Sequence, residues 1–344
     1  MAMLETQRLR LRAYEADDFA AVHAYASTVE NTVYMPFGPN SEADTRAFLD
    51  MAIAANAADP RRRYEFAVIL KESGTLIGGC GLYLLGKDEG EIGWILHRDH
   101  WRKGYGTELG RALVAFGFGE LQLHRIVARC DAQNCASFGV MEKLNMRREG
   151  CFLEARPAHK LSDRPYGDEL LYAILREEWE IRKEIAYYDA LPCRFFDFIE
   201  LPALTGGEIY LVCTQKSPAD PERKYVPAYH FAICRGGEKI GNIGLRIGYT
   251  EGLYYGGQIG YNVDEAYRGH GYAAEACRLI LPVAKAHGME KLLITNEQRN
   301  VASRRVCEKL GARFVRLARL PEQSELYQKG LRYVNIFEVD VPKE

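Results

Sequence analysis

Four short motifs occur twice in this chain, in one order and at nearly one separation, and this duplication limits the fold more than any other feature of the sequence. Glu91-Ile92-Gly93-Trp94-Ile95-Leu96 parallels Gln258-Ile259-Gly260-Tyr261-Asn262-Val263, and Lys103-Gly104-Tyr105-Gly106 parallels His270-Gly271-Tyr272-Ala273, each pair 167 positions apart. Asn134-Cys135-Ala136-Ser137 returns 166 positions later as Asn300-Val301-Ala302-Ser303, and Ile77-Gly78-Gly79-Cys80-Gly81-Leu82 returns 163 later as Ile240-Gly241-Asn242-Ile243-Gly244-Leu245. Self-similarity held over four motifs marks two related domains in tandem, and 344 residues give each enough chain for its own core. The expected division is 1–182, a linker over 183–193 that is charged first and ended by Pro192, and 194–344.

Within each copy the order of elements repeats. A strand is followed by a glycine-bearing loop, a helix, a second strand, and a helix opened by asparagine. In the first copy these are the strand from Glu91, the helix from Tyr105 to about Leu121, the strand Arg125–Cys130 and the helix Asn134–Leu144. Ahead of them come the alternating strand Arg8–Arg12, an acidic helix start at Asp17-Asp18, and a helix opened by the capping spacing Ser41-Glu42-Ala43-Asp44. That helix carries Ala47, Phe48, Met51 and Ala55 as its apolar stripe. A hairpin over Glu65–Leu70 and Leu76–Leu85 then turns at Ser73-Gly74. The second copy is shorter at one place: 54 positions separate Arg12 from Phe66, but only 17 separate Thr214 from Phe231. It has no room for a helical pair there, and Pro282 is expected to kink or shorten its main helix.

Composition narrows the class. With 45 basic and 47 acidic residues the formal charge is −2, so no basic excess points to nucleic acid. No apolar run reaches membrane-spanning length and the N-terminus lacks a signal-peptide core, which leads to the expectation of a cytoplasmic protein without a membrane partner. Nine dispersed cysteines without CxxC pairing fit reduced, packed thiols.

Arg268-Gly269-His270-Gly271-Tyr272-Ala273 sets glycines just ahead of a helix. There, uncovered backbone N–H groups and the positive helix end make a site for phosphate oxygens. Arg268, Gly271 and Ala273 resemble the R-x-x-G-x-G/A signature of the GCN5-related N-acetyltransferases (GNAT), whose loop cradles the pyrophosphate of acetyl-CoA. The opening LETQRLRLR and the stretch Tyr166-Gly167-Asp168-Glu169-Leu170-Leu171-Tyr172 to Glu178-Trp179 resemble the ribosomal-protein N-terminal acetyltransferase branch of that family, over nearly all of residues 1–180. The resemblance implies an α/β (α+β) fold, two acyl-CoA N-acyltransferase domains each with a mixed, mostly antiparallel central sheet flanked by helices. It also implies acetyl-CoA as cosubstrate, no metal, and an amine acceptor such as a peptide N-terminus. A homodimer is one assembly the sequence permits. A rival reading is a CoA-binding or scaffolding protein in which one or both domains have lost turnover.

The loop residues expected at the coenzyme are Arg102, Lys103, Gly104, Tyr105 and Gly106 in the first copy, and Arg268, Gly269, His270, Gly271, Tyr272 and Ala273 in the second, with Asn134 and Asn300 as further contacts. The first loop departs from the signature, with Trp101 in the basic slot and Arg102 where the second has Gly269. Should that backbone require positive φ, Arg102 strains it. Glu91 is the candidate base, since a half-buried strand carboxylate has its pKa raised. Its match, Gln258, accepts no proton at neutral pH, so the second copy needs another base such as Asp264 or a tyrosine. Ser137 and Ser303 occupy the slot where, as the resemblance implies, a serine helps protonate the leaving thiolate. The asparagines also read as N-caps with each serine in the first helical turn. His97 and His100 flank Asp99 at a spacing that could suggest a metal, but without a further partner nearby they read as solvated loop histidines, and Tyr254-Tyr255 is either an acceptor wall or strand packing.

Overall fold

The computed structural model describes residues 3–193 and 197–342, and these form two compact units, Met1–Glu180 and Ile181–Glu344. The first unit begins with strands β1 (Leu4–Glu5) and β2 (Leu9–Arg12), then helices α1 (Phe19–Ala26), α2 (Val29–Thr32) and α3 (Glu42–Ala57). Strands β3 (Arg63–Leu70), β4 (Leu76–Leu84) and β5 (Glu89–Leu96) follow, then α4 (Tyr105–Gly119), β6 (Arg125–Asp131), α5 (Cys135–Lys143), β7 (Arg147–Pro157) and β8 (Tyr166–Leu175). All strands join one sheet in the order β1-β2-β3-β4-β5-β6-β8-β7, antiparallel except where β5 meets β6.

Alternation along the strands sorts the two faces. Phe66 and Val68 point to one side, where Leu109, Leu113 and Phe116 of α4 bury an i, i+4, i+7 stripe together with Met141 of α5. Ala67 and Ile69 point to the other, under Val22 and Tyr25 of α1 and Leu49 and Ala52 of α3. Helix α3 opens as its sequence indicates: the Asp44 amide donates to Ser41 Oγ (3.2 Å) and the Ser41 amide to Asp44 Oδ2 (2.9 Å). Its buried stripe differs from the expected one. Thr45, Leu49 and Ala52 face the sheet with Phe48 beside them, whereas Ala47 and Met51 are exposed. The helix carries two apolar stripes, and packing on Tyr14 selects the one that presents Phe48 edge-on to that ring.

Residues expected to be linker are largely helical. Helix α6 (Arg176–Asp189) runs through 183–189, with Trp179 against Phe118 in the first unit and Ile181, Ile185 and Tyr188 in a core cluster of the second. The second unit then has β9 (Leu204–Thr205), β10 (Tyr210–Ser217), β11 (Ala228–Arg235), β12 (Glu238–Arg246), α7 (Glu251–Gly256) and β13 (Ile259–Val263). After these come α8 (Tyr272–Ala286), β14 (Lys291–Asn296), α9 (Val301–Lys309), β15 (Arg313–Arg319), α10 (Glu325–Gln328) and β16 (Tyr333–Asp340). Its strands divide into a five-stranded sheet, β13-β12-β11-β10-β9, and a three-stranded one, β14-β16-β15.

Among the described residues no helix lies between β10 and β11, so one face of the five-stranded sheet has nothing like the α1 and α3 cover. Pro282 neither ends nor shortens α8, which has 15 residues like α4. The missing amide costs about 3 kcal/mol in a helix interior, and burial of Cys277, Ile280, Val283 and Ala284 along α8 offsets it. Tyr254 and Tyr255 lie in α7, not in a strand. Both are buried, with Tyr254 Oη donating to Glu184 Oε2 at 2.5 Å. Among the described residues no helix is long and apolar enough to cross a membrane.

Candidate active site

In the first unit β5 and β6 run parallel for three rungs only, Glu89 with Arg125, Gly90 with Ile126 and Glu91 with Val127. Beyond Glu91 they part, β5 staying with β4 as far as Leu96 while β6 stays with β8 as far as Asp131. The sheet therefore opens into a fork, and Glu91 stands on its last rung.

Burial raises the Glu91 pKa, and the charges of Glu169 and Glu89 add to the rise, while Arg129 opposes it from 3.7 Å (Nε to Oε2). Arg129 is itself shared with Glu169, whose Oε1 accepts from Nη1 at 2.9 Å. Two positions along the same face of β5, a Cβ built on Gly93 meets nothing within 4 Å. The carboxylate thus borders open space at the fork.

The loop after β5 is held by contacts that spacing alone did not disclose. Trp101 Nε1 donates to the Leu96 carbonyl at 2.7 Å, and in the second unit Arg268 Nε donates to the matching Val263 carbonyl at 3.0 Å. The two dissimilar side chains make one staple between the loop and the end of the strand. Left-handed backbone follows in both copies: Arg102 has φ 58° and Gly104 φ 81°, against 87° and 90° for Gly269 and Gly271. Arg102 therefore bears the strain its position suggests. Relief from a left-handed non-glycine, worth about 1–2 kcal/mol, is partly cancelled by the greater freedom of glycine in the unfolded chain. Arg102→Gly is accordingly expected to stabilise the first unit by under about 1 kcal/mol in urea denaturation.

Helices α4 and α8 start at Gly104 and Gly271 with no side-chain cap, whereas α3, α5 and α9 are capped by Ser41, Asn134 and Asn300. First-turn amides left uncapped at a positive helix end suit an anion. Cations stand beside each loop. Arg8 Nη1 donates to the Lys103 carbonyl at 2.9 Å with its guanidinium 4.5 Å over the Tyr105 ring, and Lys309 Nζ is 3.5 Å from where a Cβ on Gly271 would lie. Arg8 is part of the opening strand motif, and Lys309 lies in Glu308-Lys309-Leu310, which repeats Glu142-Lys143-Leu144 at a separation of 166; either could be found by asking which repeated or motif cations lack an assigned role. Gly106 is confined by Val140 of α5, 3.2 Å from its would-be Cβ. His270 stacks on Tyr272, whose buried ring donates its hydroxyl to Glu208. The Tyr272 side chain is thus committed to these partners.

Asn134 and Asn300 are N-caps, their Oδ1 atoms accepting from the amides of Ser137 (3.1 Å) and Ser303 (3.0 Å). The serines differ in partner. Ser137 neighbours the Cys130 thiol, whose pKa burial pushes up to about 11, and Ser303 Oγ lies 2.9 Å from Tyr261 Oη, a phenol that burial holds well above its ordinary pKa. Met141 and Cys307 are buried in the cores.

At the second fork, Gln258 is fully buried. Its amide hydrogen reaches the Leu293 carbonyl (2.8 Å), its side-chain Oε1 accepts from the Leu293 amide (2.6 Å), and Nε2 donates to the Gly248 carbonyl (3.1 Å). The residue matched to Glu91 is here a clasp between the two sheets. His97 and Asp99 interact within the loop, Nδ1 to Oδ2 at 3.6 Å, and among the described residues no three His, Cys, Asp or Glu side chains gather as metal ligands.

The family model for the acetyltransferase (GNAT) domain matches residues 8–147 and 213–313. An uncharacterized N-acetyltransferase of Bacillus subtilis (strain 168), YnaD, is 38% identical over 177 residues, which is 51% of this chain and 98% of that protein. Another, p20 of Bacillus licheniformis, is 31% identical over 182 residues, 52% of this chain and 99% of its own length. The crystal structure of a GNAT-family acetyltransferase from Bacillus anthracis is 36% identical and covers 52% of this chain and all of that one, with a TM-score of 0.46.

Proposed function

Because this chain belongs to the GNAT acetyltransferase family, we propose that it moves an acetyl group from acetyl-CoA to a primary amine, either a peptide or protein N-terminus or a small amine, and that its first unit performs the transfer by direct attack within a ternary complex. The observation that carries this reading is Glu91, a carboxylate with a burial-raised pKa on the last rung of an open fork. Such a group takes a proton from the incoming ammonium, directly or through a water, and frees the nitrogen lone pair. Main-chain amides at the uncapped start of α4, with Arg102, Lys103 and Arg8 beside them, suit the coenzyme's pyrophosphate. Ser137 serves in this reading as proton donor to the departing thiolate, and Asn134 caps the helix turn that carries it. No covalent acyl-enzyme is needed, so no nucleophile–base pair is required.

The test is free-thiol release by the intact chain from acetyl-CoA against a panel of peptides and small amines. Release with at least one amine is expected. Acetyl-CoA binding without release from any of them would leave the coenzyme-binding reading instead. For the second unit that second reading has its own support, since all the hydrogen bonds of the Gln258 side chain go to main chain inside the fork. Gln258→Glu is therefore expected to confer no turnover in a chain whose first unit is silenced, and to lower stability by placing a carboxylate against the Gly248 carbonyl. Thiol release from such a doubly altered chain would return the second unit to the catalysts.

A further inference from the structure

The sheet face that α1 and α3 cover in the first unit is open in the second, and its residues have changed character position by position. Cross-strand register aligns Ala232, Asn242 and Asn262, then His230, Gly244 and Gly260, and the row of Ala228 and Arg246 reaches Gln258 through the Arg246 amide, which donates to the Gln258 carbonyl at 2.9 Å. In the first unit the corresponding rows are Ala67, Gly79 and Ile95; Glu65, Gly81 and Gly93; Arg63, Tyr83 and Glu91. Glu65 has thus become His230, Tyr83 has become Arg246, Glu91 has become Gln258, and Ile95 has become Asn262.

His230, Asn242, Arg246 and Asn262 bound a trough of about 500 Å³, with Thr214 and Gln215 on its far side, while Gln258 is buried beyond its edge. Gly244 and Gly260 form its floor, because neither carries a side chain into it. Asn242 and Asn262 close one end, Nδ2 to Oδ1 at 3.3 Å, and Arg246 stands at the other. None of the described lining residues is aspartate or glutamate. On the same face the first unit holds two carboxylates, Glu65 and Glu91, and one cation, Arg63, which is paired with Glu65 at 3.1 Å, so that face is net acidic. At the matched positions of the second unit neither carboxylate remains, Ala228 stands in place of Arg63 and Arg246 in place of Tyr83, so the formal charge left among these positions is that of Arg246.

We propose that this trough is a binding site for a small organic carboxylate, gripped by Arg246 and His230. Arg246 gives one N–H of its fork to the Gly257 carbonyl (Nη1 to O, 3.1 Å), which fixes the guanidinium at the trough's end while its other donors can pair with two carboxylate oxygens. His230 is steadied by Ser217, Nε2 to Oγ at 3.1 Å, and its Nδ1 lies over the glycine floor, 3.7 Å from where a Cβ on Gly244 would be. The asparagine amides supply further donors and acceptors for a ligand's polar end.

The measurement is calorimetry on the intact chain with succinate, N-acetylglycine, N-acetylglycinamide, spermidine and inorganic phosphate. At least one carboxylate is expected to bind, the amide and the polyamine not to bind at this site, and Arg246→Gln to weaken the carboxylate at least about tenfold, the loss of one charge-assisted pair. His230→Gln gives an independent reading should Arg246→Gln disturb folding, and is expected to weaken binding several-fold. Neither change is expected to alter thiol release by the first unit, and Glu91→Gln is expected to leave carboxylate affinity intact, so the site stands or falls separately from the transfer reaction. Absence of binding by both carboxylates at tens of millimolar, affinity unchanged in both variants, or binding of phosphate alone would overturn the assignment.

Discussion

Glu91→Gln is expected to lower kcat for acetyl transfer by about 10²–10³-fold, the range for loss of a positioned general base, while affinity for acetyl-CoA changes less than about twofold. The two side chains are nearly equal in size, so the fork, the loop and Arg129 keep their places; what disappears is a proton acceptor. The pH profile provides a second readout. Burial raises the Glu91 pKa, so wild-type turnover falls as pH drops through that raised value, and the variant's residual rate lacks this limb. Stability moves the opposite way. A carboxyl whose pKa is raised on folding holds its proton more tightly in the folded chain, so its stabilising contribution is complete below the unfolded value and is lost as pH rises through the folded one. At neutral pH the ionised Glu91 therefore costs stability, and the glutamine variant is expected to resist urea better than wild type there, with the advantage shrinking as pH falls into the ordinary carboxylate range. Unchanged turnover would remove Glu91 from the reaction.

Gly78→Ala and Gly241→Ala are expected each to destabilise its own unit by about 2–4 kcal/mol, as overpacking against main chain does. These glycines hold the same place in the two sheets. A Cβ on Gly78 would overlap the Ile95 carbonyl oxygen and sit 2.9 Å from Leu96 Cα, and one on Gly241 would overlap the Asn262 carbonyl oxygen and sit 3.1 Å from Val263 Cα. Backbone cannot swing aside as a flexible side chain does, because these strands end in the Trp101 and Arg268 staples. Each glycine also lies beside a register shift, at Val68/Ile69 in the first sheet and Ile233/Cys234 in the second, where the strand departs from regular pairing. Gly93→Ala is the control. Nothing lies within 4 Å of its would-be Cβ, so denaturation should move by less than about 0.5 kcal/mol. Equal losses at Gly78 and Gly93 would show that close approach is not what these positions require.

Much of this architecture is readable from the repeat. The strand–loop–helix–strand–helix order, the uncovered helix starts and the asparagine caps follow from glycine and asparagine at fixed offsets, because their roles are set by local backbone geometry. The candidate base was visible for the same reason: Glu91 lies in a strand beside the loop. Side-chain destinations were less accessible. Choosing between the Ala47–Met51 and Thr45–Ala52 stripes of α3 depends on Tyr14, 35 residues from Leu49 and distant in sequence from either stripe. Gln258 reads as a lost base, whereas its role as a clasp depends on Leu293 and Gly248, which only the folded sheet brings near. Arg246 and His230 each look like ordinary surface strand residues until cross-strand register sets them around one floor.

The paired staple at Trp101 and Arg268 bears on how the two copies drifted apart. What that slot requires is a ring or guanidinium N–H reaching back to one carbonyl, and indole satisfies it as well as arginine does. For this anchor a positive charge is dispensable, since a single N–H on either side chain ties the loop to the end of the strand. A signature that insists on arginine at this slot passes over the half of the chain that kept its carboxylate.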